Sequence, residues 1–143
     1  MQNPPRQYSK NGSYASSGIS PENFLSRQLP CSIEAEKSVL GAILLNDKHI
    51  TQVAELLAPS DFYIPAHKTI FEVCLEIFQS NKRIDIVTLQ DILDKNQKLQ
   101  EIGGITYLIG LQEEIPALGL VEQHANIIKE KSILRDLIVQ LQI

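Results

Sequence analysis

Residues 103–143 read GGITYLIGLQEEIPALGLVEQHANIIKEKSILRDLIVQLQI, and they predict two helices joined by a short connection. The pair Gly103-Gly104 is typical of a helix stop followed by a new start. Apolar residues recur at helical spacing on both sides of residues 115–119. Because five residues suffice only for a tight connection, we expect two antiparallel neighbours, that is, a helical hairpin.

The second helix of this hairpin is more apolar than docking on one neighbour requires, since a single stripe suffices for that purpose. The excess predicts either burial against another subunit or a chain that continues beyond residue 143. The apolar run at its end consists of Ile133, Leu134, Leu137, Ile138, Val139, Leu141 and Ile143.

Helical periodicity also fills residues 30–102, where no segment alternates with period two over a useful length. Ser32 is a candidate N-cap, and helices are expected over 48–57 and from Pro65 to about Gln79. A capping box at Thr88 predicts the start of a further short helix. The fold class is therefore all-α, with about five or six helices in a compact head. We place the helix that begins at Pro65 centrally, because it is the most hydrophobic.

Residues 1–29 differ in composition from the remainder, being rich in Ser, Asn, Gln, Gly and Pro. Such a segment buries too little apolar surface to offset the entropy of ordering it, so we predict a flexible tail. An organellar transit peptide is the alternative, although the tail has few Arg residues and no amphipathic pattern. The predicted organisation is a tail (1–29) and one domain (30–143), divided into a head (30–102) and the hairpin (103–143).

Length and charge limit the function classes. A chain of 143 residues suits one domain, and no apolar run is long enough to span a membrane. The net charge is −4, and because residues 1–29 carry +2, the rest carries −6. This charge balance argues against a nucleic acid as a direct partner for the chain as a whole. Two cysteines 43 positions apart suggest neither a disulfide framework nor a zinc site, which fits a reducing, intracellular setting.

Catalytic motifs are absent from the sequence: it has no phosphate loop, no nucleophile elbow and no H-E-x-x-H. We assign the remaining polar residues structural roles. Glu34 and Glu36 complement the dipole of the first helix, and Lys82-Arg83 forms a solvated turn. Lys129, Lys131 and Arg135 are interpreted as exposed charges that alternate with acidic residues on the surface of a helix. Cys74 is interpreted as a core residue. An interaction module is the interpretation left on physical grounds.

Five segments, in this order and spacing, resemble the N-terminal domain of bacterial replicative DNA helicases of the DnaB type. The match spans residues 30–143 and leaves only the tail outside. The segments are 30–45 (PCSIEAEKSVLGAILL), 59–67 (PSDFYIPAH), 85–89 (DIVTL), 103–108 (GGITYL) and 125–132 (ANIIKEKS).

The resemblance implies a helical head and hairpin whose copies pair and assemble as a trimer of dimers in a hexamer. This collar surrounds the DNA path and receives primase, and a helicase loader is a further candidate partner. A separate motor domain would bind ATP and Mg and unwind duplex DNA at the replication fork. The chain itself is then expected to catalyse nothing, to hold no cofactor, to bind DNA weakly or not at all, and to reside in the cytoplasm.

The resemblance also implies roles for three sets of residues. Candidates for core and subunit packing, two roles that the sequence does not separate, are Tyr107, Leu108, Leu111, Ile127, Ile128, Leu134, Leu137 and Ile138. Candidates for partner docking at the hairpin tip are Glu113, Glu114, Leu118 and Leu120. Residues expected to shape the head are Phe62, Tyr63, Pro65 and His67.

Two other function classes stay open at this point. A small DNA-binding or adaptor protein with several short helices is one, although it would need a basic recognition helix on a domain of net charge −6. A small helical enzyme is the other, and it lacks any recognisable pairing of nucleophile and base.

Overall fold

A computed structural model describes residues 29–114 and 118–141, and these residues form an all-α domain with no β-strand among them. This confirms the predicted fold class. Of the predicted tail, only Leu29 lies within the described part. Two short 3-10 turns occur at Pro59–Asp61 and Leu118–Leu120. The helices are α1 (Ile33–Leu45), α2 (His49–Leu56), α3 (Pro65–Gln79), α4 (Ile86–Lys95), α5 (Gly104–Glu113) and α6 (Val121–Leu141).

Three of the six described helices start at a local signal in the sequence. The Ser32 hydroxyl oxygen accepts a hydrogen bond from Ala35 N at 3.2 Å and caps α1, as predicted. Pro65 occupies the first turn of α3. The predicted capping box at Thr88 is wrong, because the Asp85 carboxylate accepts from Thr88 N at 2.7 Å and starts α4 three residues earlier.

Helix α1, rather than α3, is the central helix of the domain. It packs against α2, α3, α5 and α6. Every residue from 39 to 44 is buried, so α1 is covered around its whole circumference. Its sequence over these positions, VLGAIL, contains only apolar residues and glycine, which is the composition that such a position requires. The hydrophobicity of α3 therefore did not identify the central element.

The described head has four α-helices and one 3-10 turn, fewer than the five or six expected. Helices α5 and α6 span the segment predicted as a hairpin, but each packs mainly on α1 rather than on the other. Helix α6 runs antiparallel to α1: His124 Nδ1 lies 2.9 Å from Ser38 Oγ, and Arg135 reaches Pro30 O. The connection between α5 and α6 includes residues 115–117, which lie outside the described part.

Candidate oligomerisation surface

The turn between α2 and α3 is fixed by a buried carboxylate. Glu36 is 1% exposed, and its Oε2 accepts a hydrogen bond from Tyr63 N at 2.7 Å. Its Oε1 accepts from Ile64 N at 3.3 Å and lies 2.7 Å from Nδ1 of His67. A buried carboxylate needs such partners, because an unpaired one would carry the whole cost of leaving water.

The same network reaches α5 through His67, which is completely buried. A carboxylate only accepts, so Nδ1 donates to Glu36. In the neutral ring, Nε2 then accepts from the Tyr107 hydroxyl at 2.6 Å. Burial, together with the charges of Glu114 and Glu36, raises the pKa of Tyr107, so its hydroxyl stays a donor. The prediction that Glu36 only complements the helix dipole is therefore wrong, because its carboxylate links α1, α3 and α5.

A second polar group, which we name the Asp61 cluster, joins the first 3-10 turn to α6, and all its members except Lys129 are buried. It consists of Asp61, Lys129, Ser132 and Arg135. The Ser132 hydroxyl donates to Asp61 Oδ1 at 2.7 Å, and Lys129 Nζ lies 3.3 Å from Oδ2. Arg135 donates to the carbonyl oxygens of Asp61 at 2.6 Å and of Pro30 at 2.8 Å. Its guanidinium carbon also lies 5.3 Å from the centre of the Tyr63 ring.

Arg135 is thus a structural residue at 9% exposure, and its prediction as surface charge is wrong. Asp61 is ionised within this cluster. Burial works to raise the pKa of Asp61, but hydrogen bonds from Ala58 N, Ser132 and Lys129 outweigh it and lower the pKa below its usual value.

The Asp61 cluster gives the second half of α6 an inverted arrangement. Its polar residues Ser132 and Arg135 point into the domain, whereas apolar residues point into solvent. We name four of these residues the outer face: Ile133, Leu134, Leu137 and Leu141, which are between 44% and 85% exposed, whereas Val139, also exposed, lies on another side of the helix. Their spacing places them along one side of the helix. In the first half of α6 the exposed positions Gln123, Asn126 and Glu130 are polar.

The structure separates the hairpin residues for which the sequence left core and subunit packing unresolved. Leu108, Leu111 and Ile128 are fully buried in the core of this chain. Tyr107 and Ile127 pack partly against that core, and Ile138 is half-buried. Leu134 and Leu137 remain exposed, so these two are available to a second copy or another partner.

The four residues expected to shape the head lie within or beside the two polar networks. Phe62 is buried, with its ring centre 5.0 Å from that of Phe71. Tyr63 donates its backbone N–H to Glu36, Pro65 starts α3, and His67 bridges Glu36 to Tyr107.

The tip candidates that the structure describes are exposed. They are Glu113, Glu114 and Leu120, and Glu114 also forms an ion pair with Lys37 at 3.3 Å. The side chain of Leu118 lies outside the described residues.

Other features of the described residues have ordinary structural explanations. Burial raises the pKa of the Cys74 thiol to about 12, so this residue acts as part of the core. His, Cys, Asp and Glu side chains form no group of three suited to a metal ion in residues 29–114 and 118–141. Within the same ranges, no helix is long and apolar enough to cross a membrane.

Comparison with known proteins gives a consistent set of relatives. The family model described as the DnaB-like helicase N-terminal domain matches residues 28–130. The replicative DNA helicase DnaB of Geobacillus stearothermophilus is 42% identical over 117 residues, which cover 82% of this chain and 26% of that protein. The replicative DNA helicase DnaC of Bacillus subtilis is 40% identical over 109 residues, which cover 76% of this chain and 24% of that protein.

A solved structure agrees with these sequence matches. The N-terminal domain of DnaB helicase from Mycobacterium tuberculosis has a TM-score of 0.74 and 38% identity, over 78% of this chain and 80% of that one. The chain thus spans about a quarter of the length of the curated relatives that it matches. Since the family model covers most of the chain and a solved domain shares its fold, the chain belongs to the DnaB-like helicase N-terminal domain family.

Proposed function

We propose that this domain assembles copies of a hexameric replicative DNA helicase and docks partner proteins at the replication fork. Its own residues take no part in catalysis. The sequence contains no phosphate loop, so ATP and Mg would be bound by a motor domain outside these 143 residues. Two findings support this function: the chain belongs to this family, and replicative helicases are among its relatives.

The outer face of α6 is the observation that carries the proposal. Single exposed apolar residues are normal, but four on one side of one helix form a contiguous patch, which is typical of a protein interface. The Asp61 cluster fixes the polar side of α6 to the head, so the helix cannot rotate to bury this patch against the described head. Burial against the outer face of a second copy would satisfy both constraints.

Sedimentation velocity tests self-association directly. Over a range of about 5 to about 500 µM, we expect the wild-type mass to rise to that of a dimer or a hexamer. Leu137→Asp should remain monomeric and helical, because a carboxylate on the outer face would have to be desolvated on association. Gln100→Asp, which adds the same charge at an exposed position of the head, is the matched control and should associate like the wild type. A wild type that stays monomeric, or a Leu137→Asp variant that still associates, would contradict the proposal.

Partner docking is the second part of the proposal. Primase, and a helicase loader as a further partner, would bind in the cytoplasm, with Glu113, Glu114 and Leu120 among the contacts. DNA would be contacted through the assembled ring, since the residues after 29 carry −6. A bacterial primase immobilised on a sensor should bind the wild type, and the double variant Glu113→Lys with Glu114→Lys should bind at least about tenfold more weakly. Equal binding of the two proteins would exclude the tip as the docking site.

A further inference from the structure

A groove of about 360 Å³ lies between the start of α2 and the segment that joins α3 to α4. We name it the Phe78 groove. It is lined by the apolar residues Ile50, Phe78 and Ile84 and by the basic residues Lys48, Lys82 and Arg83. Phe78 is 37% exposed, whereas Ile50 and Ile84 are buried, so an aromatic edge remains in contact with solvent inside a concave surface.

The walls of the groove are fixed by hydrogen bonds. After the last residue of α3, Asn81 adopts a φ of 61° and Lys82 N donates to Ile77 O at 3.1 Å, which is the bond of a Schellman cap. Asp47, just after α1, accepts from Arg83 Nε at 2.7 Å and from Ile84 N at 2.9 Å. The groove is therefore formed before a ligand arrives, which lowers the entropy cost of binding.

The charges around the Phe78 groove favour an anionic ligand. The carboxylate in the lining, Asp47, accepts hydrogen bonds from Arg83 and Ile84, and Asp85, which follows the lining, accepts one from Thr88 N. Among the described residues, the ammonium groups of Lys48 and Lys82 form no ion pair. This basic surface stands out on a domain whose net charge is −6.

The groove is also remote from the outer face of α6. Asp47 follows the C-terminal end of α1, whereas Arg135 meets Pro30 at the N-terminal end of the same helix. Thirteen residues of α1 separate the two ends by roughly 20 Å. Association through the outer face would thus leave the Phe78 groove accessible.

We propose that the Phe78 groove binds a short acidic peptide segment of another protein, with an apolar side chain of that segment against Phe78. Its carboxylates would pair with Lys48, Lys82 and the outward amino groups of Arg83. A peptide is favoured over a nucleic acid because three cations are few for a phosphate backbone, and the domain as a whole carries a net charge of −6. The tail of this chain is disfavoured as the occupant, because residues 1–29 carry +2.

A peptide library tests this proposal on the full chain. The immobilised protein is incubated with hexapeptides whose positions hold Asp, Glu, Ser, Lys, Leu or Phe, and bound peptides are quantified by mass spectrometry. We expect at least about tenfold enrichment of peptides that combine acidic residues with Leu or Phe over their lysine counterparts. Lys82→Glu and Phe78→Ser should each abolish this enrichment, with folding verified by circular dichroism. Lys98→Glu, at another exposed lysine, is the matched control and should retain it.

Three outcomes would overturn the proposal. The first is no enrichment of acidic peptides by the wild type. The second is enrichment that survives both Lys82→Glu and Phe78→Ser, which would place peptide binding elsewhere. The third is a result that indicates a different occupant. A thymidine decamer that binds the groove more tightly than any peptide would indicate a nucleic acid. Reduced self-association of the Lys82→Glu variant would indicate a second copy of this chain.

Discussion

Glu34 and Glu36 occupy the same first turn of α1 and have the same side chain, yet only one of them is buried. The Glu36 carboxylate accepts hydrogen bonds from Tyr63 N, Ile64 N and the His67 ring, whereas Glu34 is exposed. Glu36→Ala should lower the free energy of unfolding by about 3 kcal/mol, because it leaves buried donors without an acceptor. Glu34→Ala should change it by less than about 1 kcal/mol, the size of a dipole interaction. Urea denaturation measures both, and equal losses would show that Glu36 acts only through the helix dipole.

The ionised state of Asp61 predicts a pH dependence with a definite sign. The pKa of Asp61 is lower in the folded domain than in the unfolded chain, where it is about 3.9. Its contribution to stability is therefore fully present above that unfolded value and is lost as the pH falls through the folded pKa. We expect Asp61→Asn to be less stable than the wild type at about pH 6, and the difference to shrink steadily below about pH 4.

Denaturant titrations at several pH values would measure this difference. Ser132→Ala is the partner variant, because removing one donor should raise the pKa of Asp61 and weaken the same dependence. A difference between wild type and Asp61→Asn that stays constant down to acid pH would mean that Asp61 is not stabilised in its ionised form.

At the level of the elements, two adjacent glycines form the start of α5, with Gly103 as its N-cap and Gly104 as its first residue, and they differ in what restricts them. Gly103 has a φ of 109°, and a Cβ there would lie 2.8 Å from Cβ of Tyr107. Gly104 has a φ of 77°, but a Cβ there would project into open space. Gly104→Ala should thus lower the free energy of unfolding by about 1 kcal/mol, through backbone strain alone. Gly103→Ala should lower it by at least about twice as much, because the contact with Tyr107 adds to the strain.

Thermal or urea unfolding of the two alanine variants would test this order. Gly103→Ala should also displace Tyr107, which would show as a change in the tyrosine signals of an NMR spectrum. If Gly104→Ala proved the more destabilising of the two, the contact with Tyr107 would not be what restricts position 103.

The bounds of the helices could be predicted because their signals are local. Pro65 and Gln79 are the first and last residues of α3, as the sequence indicates, and Ser32 caps α1. The start of α4 was missed because Asp85 and Thr88 are both credible caps, and the sequence alone does not rank them. The apolar excess at the end of α6 was also visible in the sequence, since periodicity shows which residues share a side of a helix.

At the level of the whole molecule, the polar networks could not be predicted, because their partners lie far apart in the chain. Glu36 meets His67 across 31 positions, and Arg135 meets Pro30 across 105. Nothing near Arg135 distinguishes it from the exposed charges of α6. The central place of α1 was likewise hidden, since it depends on which helices pack around it. A buried position for a charged residue is thus a property of the tertiary structure.

At the scale of the molecule, the residues that the structure describes include an apolar surface on α6 and a separate basic surface at the Phe78 groove, on a domain whose net charge is −6. The two surfaces lie near opposite ends of α1. We therefore expect association through α6 and binding in the Phe78 groove to be independent of each other. Mutations at the two sites, far apart and without shared partners, should therefore have additive effects on stability to within about 0.5 kcal/mol.

Hydrogen exchange at two protein concentrations is the measurement that tests the outer face most directly. Raising the concentration from about 5 to about 500 µM should slow amide exchange at residues 133–141 by at least about tenfold, because association protects the exposed half of α6. Exchange in α3 should not change. Exchange at residues 133–141 that is the same at both concentrations, or protection that appears in α3 instead, would contradict the assembly of this domain through α6.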